Sequence, residues 1–81
     1  MYWQTEVQRP WEGLTERERE VVCLLTRALS NAEIAETLSI TVRTVEMHLT
    51  HVLEKLDIHS RLEAVVWVRD NLPEDLWKPT G

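Results

Sequence analysis

Three times along this chain a serine or threonine is followed, three residues on, by a glutamate at the head of an apolar stretch. The pairs are Thr15 with Glu18, Ser30 with Glu33, and Ser60 with Glu63. Each pair closes a capping box: the hydroxyl accepts from a free backbone N–H of the first helical turn, and the glutamate accepts from the N–H of the cap residue. A fourth start is Thr41, which lacks the glutamate but has a hydrophobic staple, with Ile40 before the cap meeting Val45 inside the helix. Leu29 and Ile34 make the same staple around Ser30. These starts predict helices over about Glu16–Ala28, Asn31–Leu38, Val42–Leu56 and Arg61–Asn71, the last stopped by Pro73. Two glycines and three prolines in the whole chain disfavour a turn-rich β fold. The expected fold is all-α, a four-helix bundle.

With 81 residues, a single domain over 1–81 is expected. Its core should span about 14–71, with Met1–Gly13 and Leu72–Gly81 as loosely held arms whose Trp3, Trp11 and Trp77 can pack back. An apolar share of 43% supports one modest core, marginal without a partner chain. No run of about 18 apolar residues is present, so no membrane partner is expected. The first residues lack the basic start and apolar stretch of a signal peptide. A lone Cys23 cannot close an internal disulfide, which fits a reducing cytoplasm and, for a DNA binder, the nucleoid. Charge points the other way from nucleic acid. Nine Lys and Arg stand against fourteen Asp and Glu, a formal net of −5, whereas phosphate neutralisation dominates the affinity of DNA binders.

Residue positions speak more strongly than that bulk property. Only Ser39, Ile40 and Thr41 separate the second and third expected helices, with the small Ala35 available for a close crossing, as in a helix-turn-helix. Advancing about 100° per residue sorts the third helix into stripes. Val45, Leu49, Val52, Leu53 and Leu56 form an apolar face for the core. Arg43, Glu46, Met47, Thr50 and Glu54 fall opposite, where base edges would be read. Thr44, His48, His51 and Lys55 run between them, all able to donate to phosphate oxygens. A solvated amphipathic helix with incidental histidines has the same stripes.

The segments Leu14 to Val21, Ser30 to Ala35, Thr44 to Leu49 and Lys55 to Arg61 together resemble the LuxR-type (GerE-like) regulators, in order and spacing, from Leu14 to about Val68. The short flanks resemble free-standing members, a C-terminal domain cut from a larger regulator being the alternative. The resemblance implies a sequence-specific transcription regulator that binds double-stranded DNA in the major groove, commonly as a homodimer paired through its last helix. It puts base reading on Glu46, Met47 and Thr50, and phosphate contacts on Thr44, His48 and Lys55, with Asn31 helping at the start of the second helix. Arg61 falls at a position that usually ties helices together. Ala28-Leu29 stand where the family often has glycine, a departure that bears on how the first helix ends. Glu46 replaces a frequent lysine. Across Asn31–Ser60, Arg43 and Lys55 stand against Glu33, Glu36, Glu46, Glu54 and Asp57, a net of −3 in the reading unit itself.

The last expected helix is apolar on both sides. From the family pattern Ala64 and Val68 look inward, leaving Leu62, Val65 and Val66 for a two-fold contact with Arg69 at its rim. The competing occupant of that surface is the terminal arm with Trp77. Histidines near phosphate would take up protons, so DNA affinity is expected to rise as pH falls, with His51 the stronger candidate.

Other chemistry finds little support. His48 and His51 are spaced for ligation, but no carboxylate or cysteine is clearly placed to complete a set, so no metal or other cofactor is expected. No phosphate loop or nucleophile motif is present, and no enzyme activity is expected. Cys23, in the apolar run Val21 to Leu25, reads as a buried hydrophobe, and Glu16 and Glu20 as partners of Arg19 and nearby cations. The alternative function is an acidic interaction module that binds RNA polymerase or another regulator and touches DNA weakly.

Overall fold

A computed structural model describes residues 10–78. Its main helices are α1 (Glu16–Leu25), α2 (Asn31–Leu38), α3 (Val42–Leu56) and α4 (Arg61–Asn71), followed by the short α5 (Glu74–Trp77). All three expected capping residues accept from the predicted backbone N–H, at Glu18, Glu33 and Glu63, and Thr41 accepts from Thr44 N–H. The starts of α1 and α2 are complete reciprocal boxes. In α4 the Glu63 carboxylate instead accepts from His59 N–H, one residue before the cap, at 2.7 Å.

Helix ends are where local and tertiary preferences diverge. α1 stops at Leu25, three residues short of the expected Ala28. Arg27 and Ala28 N–H bond back three residues to the carbonyls of Leu24 and Leu25, tightening the last turn, and Ala28 sits at φ 63°. Alanine favours continued helix, but Leu29 must turn into the core, and the chain adopts the left-handed conformation to get it there. Ser39 and Asp57 end α2 and α3 the same way, at φ 58° and 56°. At each, the next residue's N–H reaches back five residues, Ile40 to Ala35 and Ile58 to Leu53, in a Schellman closure that packs the isoleucine against the core.

Two apolar clusters make up the interior. One joins α1, α2 and α3 through residues such as Val21, Ile34 and Val45, all fully buried, and holds the helix-turn-helix as a unit. The other gathers around Val22, Val52 and Val68 and takes in both flanks. Trp11, in a helical turn before α1, is buried and stacks on Trp67 of α4 with ring centroids 6.5 Å apart. Leu72 is buried and Trp77 half-buried against the same cluster, with the Trp77 indole donating to Leu72 O. The core thus reaches beyond the expected 14–71, and α5 replaces part of the expected loose arm. Trp3 lies outside the described residues.

Two side-chain expectations change. Arg19 does not pair with Glu16 or Glu20; its guanidinium donates to the carbonyls of Trp11 and Glu12, and Arg17 pairs with Glu20. Cys23 is half-buried, not buried, with Sγ 3.4 Å from Leu76 O, and burial pushes its thiol pKa up. Among the described residues, no helix is long and apolar enough to cross a membrane.

Candidate nucleic-acid interface

The interface is built on α3. Val45, Leu49, Val52 and Leu56 bury one side of it, against α1 and the other helices, so the residues between them are turned outward. Arg43, Glu46, Met47 and Thr50 are all exposed and share that outward stripe. Met47, an unbranched thioether, is 52% exposed. Thr50 Oγ1 donates to the Glu46 carbonyl at 3.0 Å, which leaves its oxygen lone pairs and its methyl facing outward. Except for Arg43, the stripe therefore presents acceptors and apolar groups.

The expected phosphate flank is less uniform. Thr44 is half-buried, and its hydroxyl is 2.9 Å from the hydroxyl of Thr41 in the cap. His48 is half-buried beside the core edge. Asn31 spends its side-chain carbonyl on Arg61, which donates to it at 2.8 Å and to Leu29 O at 3.1 Å, so Arg61 ties the start of α4 to the start of α2. The Asn31 amide donors have no partner among the described residues.

His51 and Lys55 turn towards α1. Lys55 Nζ donates to Glu18 Oε1 at 2.8 Å, and His51 Nδ1 lies 3.5 Å from Glu18 Oε2. Burial pushes the Glu18 pKa up, but the bonds from Lys55 and Thr15 N–H and the charges of Lys55 and His51 prevail, and the net shift is downward. Glu18 was legible only as a cap. Its second role had a signal: Leu14, Glu18, Val21, Val22 and Leu25 fall on one helical stripe, so the carboxylate occupies a core-facing position and needs partners there.

On α4, Ala64 and Val68 are fully buried, while Leu62 is 69% and Val66 46% exposed. Val65 is half-buried against the first cluster, and the Arg69 guanidinium lies 5.7 Å from the Trp77 ring centroid. Trp77 therefore covers the Arg69 end and leaves Leu62 and Val66 bare. Grooves of about 370 and 320 Å³ flank this ridge, the first lined by Ile58, Val66 and Trp67, the second by Leu25, Leu29 and Val65, with Leu62 bordering both.

The chain is similar to known proteins over most of the described residues. The family model described as bacterial regulatory proteins, luxR family, matches residues 12–68. The transcriptional regulatory protein LiaR of Bacillus subtilis is 45% identical over 62 residues, which cover 76% of this chain and 29% of LiaR. The response regulator protein VraR is 42% identical over 57 residues in both Staphylococcus aureus and Staphylococcus epidermidis, covering 70% of this chain and 27% of VraR. The matched part thus spans less than a third of the length of these relatives.

Proposed function

The chain belongs to the LuxR family of bacterial regulatory proteins, as a helix-turn-helix DNA-binding domain of a transcription regulator, and on that premise we propose that α3 reads base edges in the major groove while α4 pairs two copies. The observation that carries the reading is the exposed stripe of Arg43, Glu46, Met47 and Thr50 on a helix whose other side is wholly committed to the core. Met47 lies against a thymine methyl, Glu46 accepts from a cytosine amino group, and Thr50 meets an adjacent base edge. Arg43 at the start of the helix reaches a base or the phosphate beside it. Thr44, His48 and the Asn31 amide donate to the phosphate backbone. Leu62 and Val66, with Val65 beneath and Arg69 at the edge, form the self-complementary surface that a two-fold pair requires.

The test is selection of bound duplexes from a random pool, repeated with Met47→Ala. The expected outcome is one enriched half-site for the wild type and, for the variant, lost preference at a thymine position, at about 1–3 kcal/mol of discrimination. An identical preference in the variant would overturn the assignment of α3. The acidic balance of the chain favours a second reading, contact with RNA polymerase or another regulator through the acidic surface. Under that reading alone, duplex binding has no measurable salt dependence.

A further inference from the structure

Lys55 is the last cation on α3, and the fold does not leave it free. Its ammonium sits 2.8 Å from Glu18, whose side chain is only 4% exposed. Glu18 is fixed in turn by its cap, where Oε1 accepts from Thr15 N–H at 2.9 Å, and its other oxygen faces His51. A carboxylate held this way cannot follow Lys55 to a DNA strand. Moving the ammonium onto a phosphate would strand a buried anion, which is costly. The charge that Lys55 would offer to DNA from its sequence position is thus engaged by the buried carboxylate of α1.

Cations on phosphates raise affinity for any duplex, whatever its sequence. Base contacts raise it for one sequence only, so withholding a backbone cation lowers affinity for every duplex by about the same factor and leaves the choice between duplexes to the base contacts. We infer that Glu18 limits the sequence-independent affinity of this domain: by holding Lys55 away from the phosphate backbone it keeps binding to every duplex weaker, so that occupancy depends on the base contacts of the exposed stripe of α3. The inference rests on the DNA-binding reading above. Lys55 and His51, both from α3, are the charged or titratable side chains facing Glu18 among the described residues.

The experiment compares wild type, Glu18→Gln and Lys55→Gln on the selected duplex and on a scrambled one, across salt concentration. Glutamine at 18 keeps the cap acceptor and the volume while removing the charge. In Glu18→Gln the freed lysine should steepen the logarithmic salt dependence by about 0.9, which is about a threefold larger loss between roughly 50 and 200 mM salt. Affinity for the scrambled and for the selected duplex should rise severalfold, by about the same factor. In Lys55→Gln the salt dependence should match the wild type. A Lys55→Gln slope shallower by about 0.9 would place Lys55 on a phosphate already and overturn the inference, even if Glu18→Gln fails to fold. So would a folded Glu18→Gln with unchanged slope and unchanged affinity for both duplexes. In either case a wild type that still selects one sequence keeps the DNA-binding reading, whereas one that binds no duplex overturns both.

Discussion

α3 and α4 start from the same kind of hydroxyl cap and pack against the same first helix, yet they expose opposite chemistry. α3 buries its large aliphatic residues and turns Arg43, Glu46 and Thr50 outward, with Met47 as its one large apolar group more than half exposed. α4 buries its small ones, Ala64 and Val68, and leaves Leu62 and Val66 in water. A polar outer face beside a satisfied core suits a partner rich in hydrogen-bonding groups. An apolar ridge between two grooves suits a partner that is apolar itself. The anchoring differs as well: α3 is tied to α1 partly by the buried Glu18 carboxylate, whereas the polar tie of α4 runs from Arg61 to a side-chain amide and a backbone carbonyl.

The largest effect that would break this contrast is in stability and assembly. Leu49→Ala should cost about 2–5 kcal/mol, since it empties a buried site, while Leu62→Ala should change monomer stability by no more than about 0.5 kcal/mol. Urea denaturation measures both, and equal losses would mean that Leu62 is covered within one chain. The doubly acidic variant Leu62→Glu with Val66→Glu should stay folded but sediment as a monomer and lose cooperative binding to two half-sites. A wild type that remains monomeric on its DNA would remove α4 from any pairing role.

A smaller effect separates the two anchors by pH. Glu18 has a lowered pKa in the folded state, so its ionised form favours folding. That contribution is fully present above its ordinary value of 4.5 and is lost as pH falls through and below it. Acid should therefore loosen α3 from α1, while the tie of α4, from Arg61 to an amide and a backbone carbonyl, contains no carboxylate. The urea midpoint of the wild type should fall on acidification more steeply than that of Glu18→Gln; parallel curves would show that the carboxylate contributes no such anchor. His51, expected on the phosphate flank, has Nδ1 3.5 Å from the Glu18 carboxylate.

The smallest effect concerns the ends of helices. α3 closes on Asp57, a residue type that tolerates the left-handed conformation, while the turn after α1 places Ala28 there with no such tolerance. Ala28→Gly should raise stability by about 0.5 kcal/mol in thermal unfolding, the relief of strain exceeding the added freedom of the unfolded chain. A loss would mean that the alanine methyl contributes more in packing than its backbone conformation costs.

The sequence by itself determined the starts of α1 to α4 and the stripes of α3, because a cap and a helical face depend on residues only three or four positions apart. The inward side of α4, at Ala64 and Val68, came from the family pattern, since its own periodicity marks two apolar sides. What only the tertiary structure decided lies in pairs distant along the chain. Trp11 meets Trp67 and so makes the N-terminal flank part of the core; Arg61 reaches back to Asn31; Lys55 is drawn to Glu18, 37 positions earlier, and away from the flank where its helical angle alone had put it. Angular position says which way a side chain sets out from its helix. Which atom receives its charge depends on how neighbouring helices are packed, and a buried carboxylate without a partner is too costly for the fold to leave unmatched.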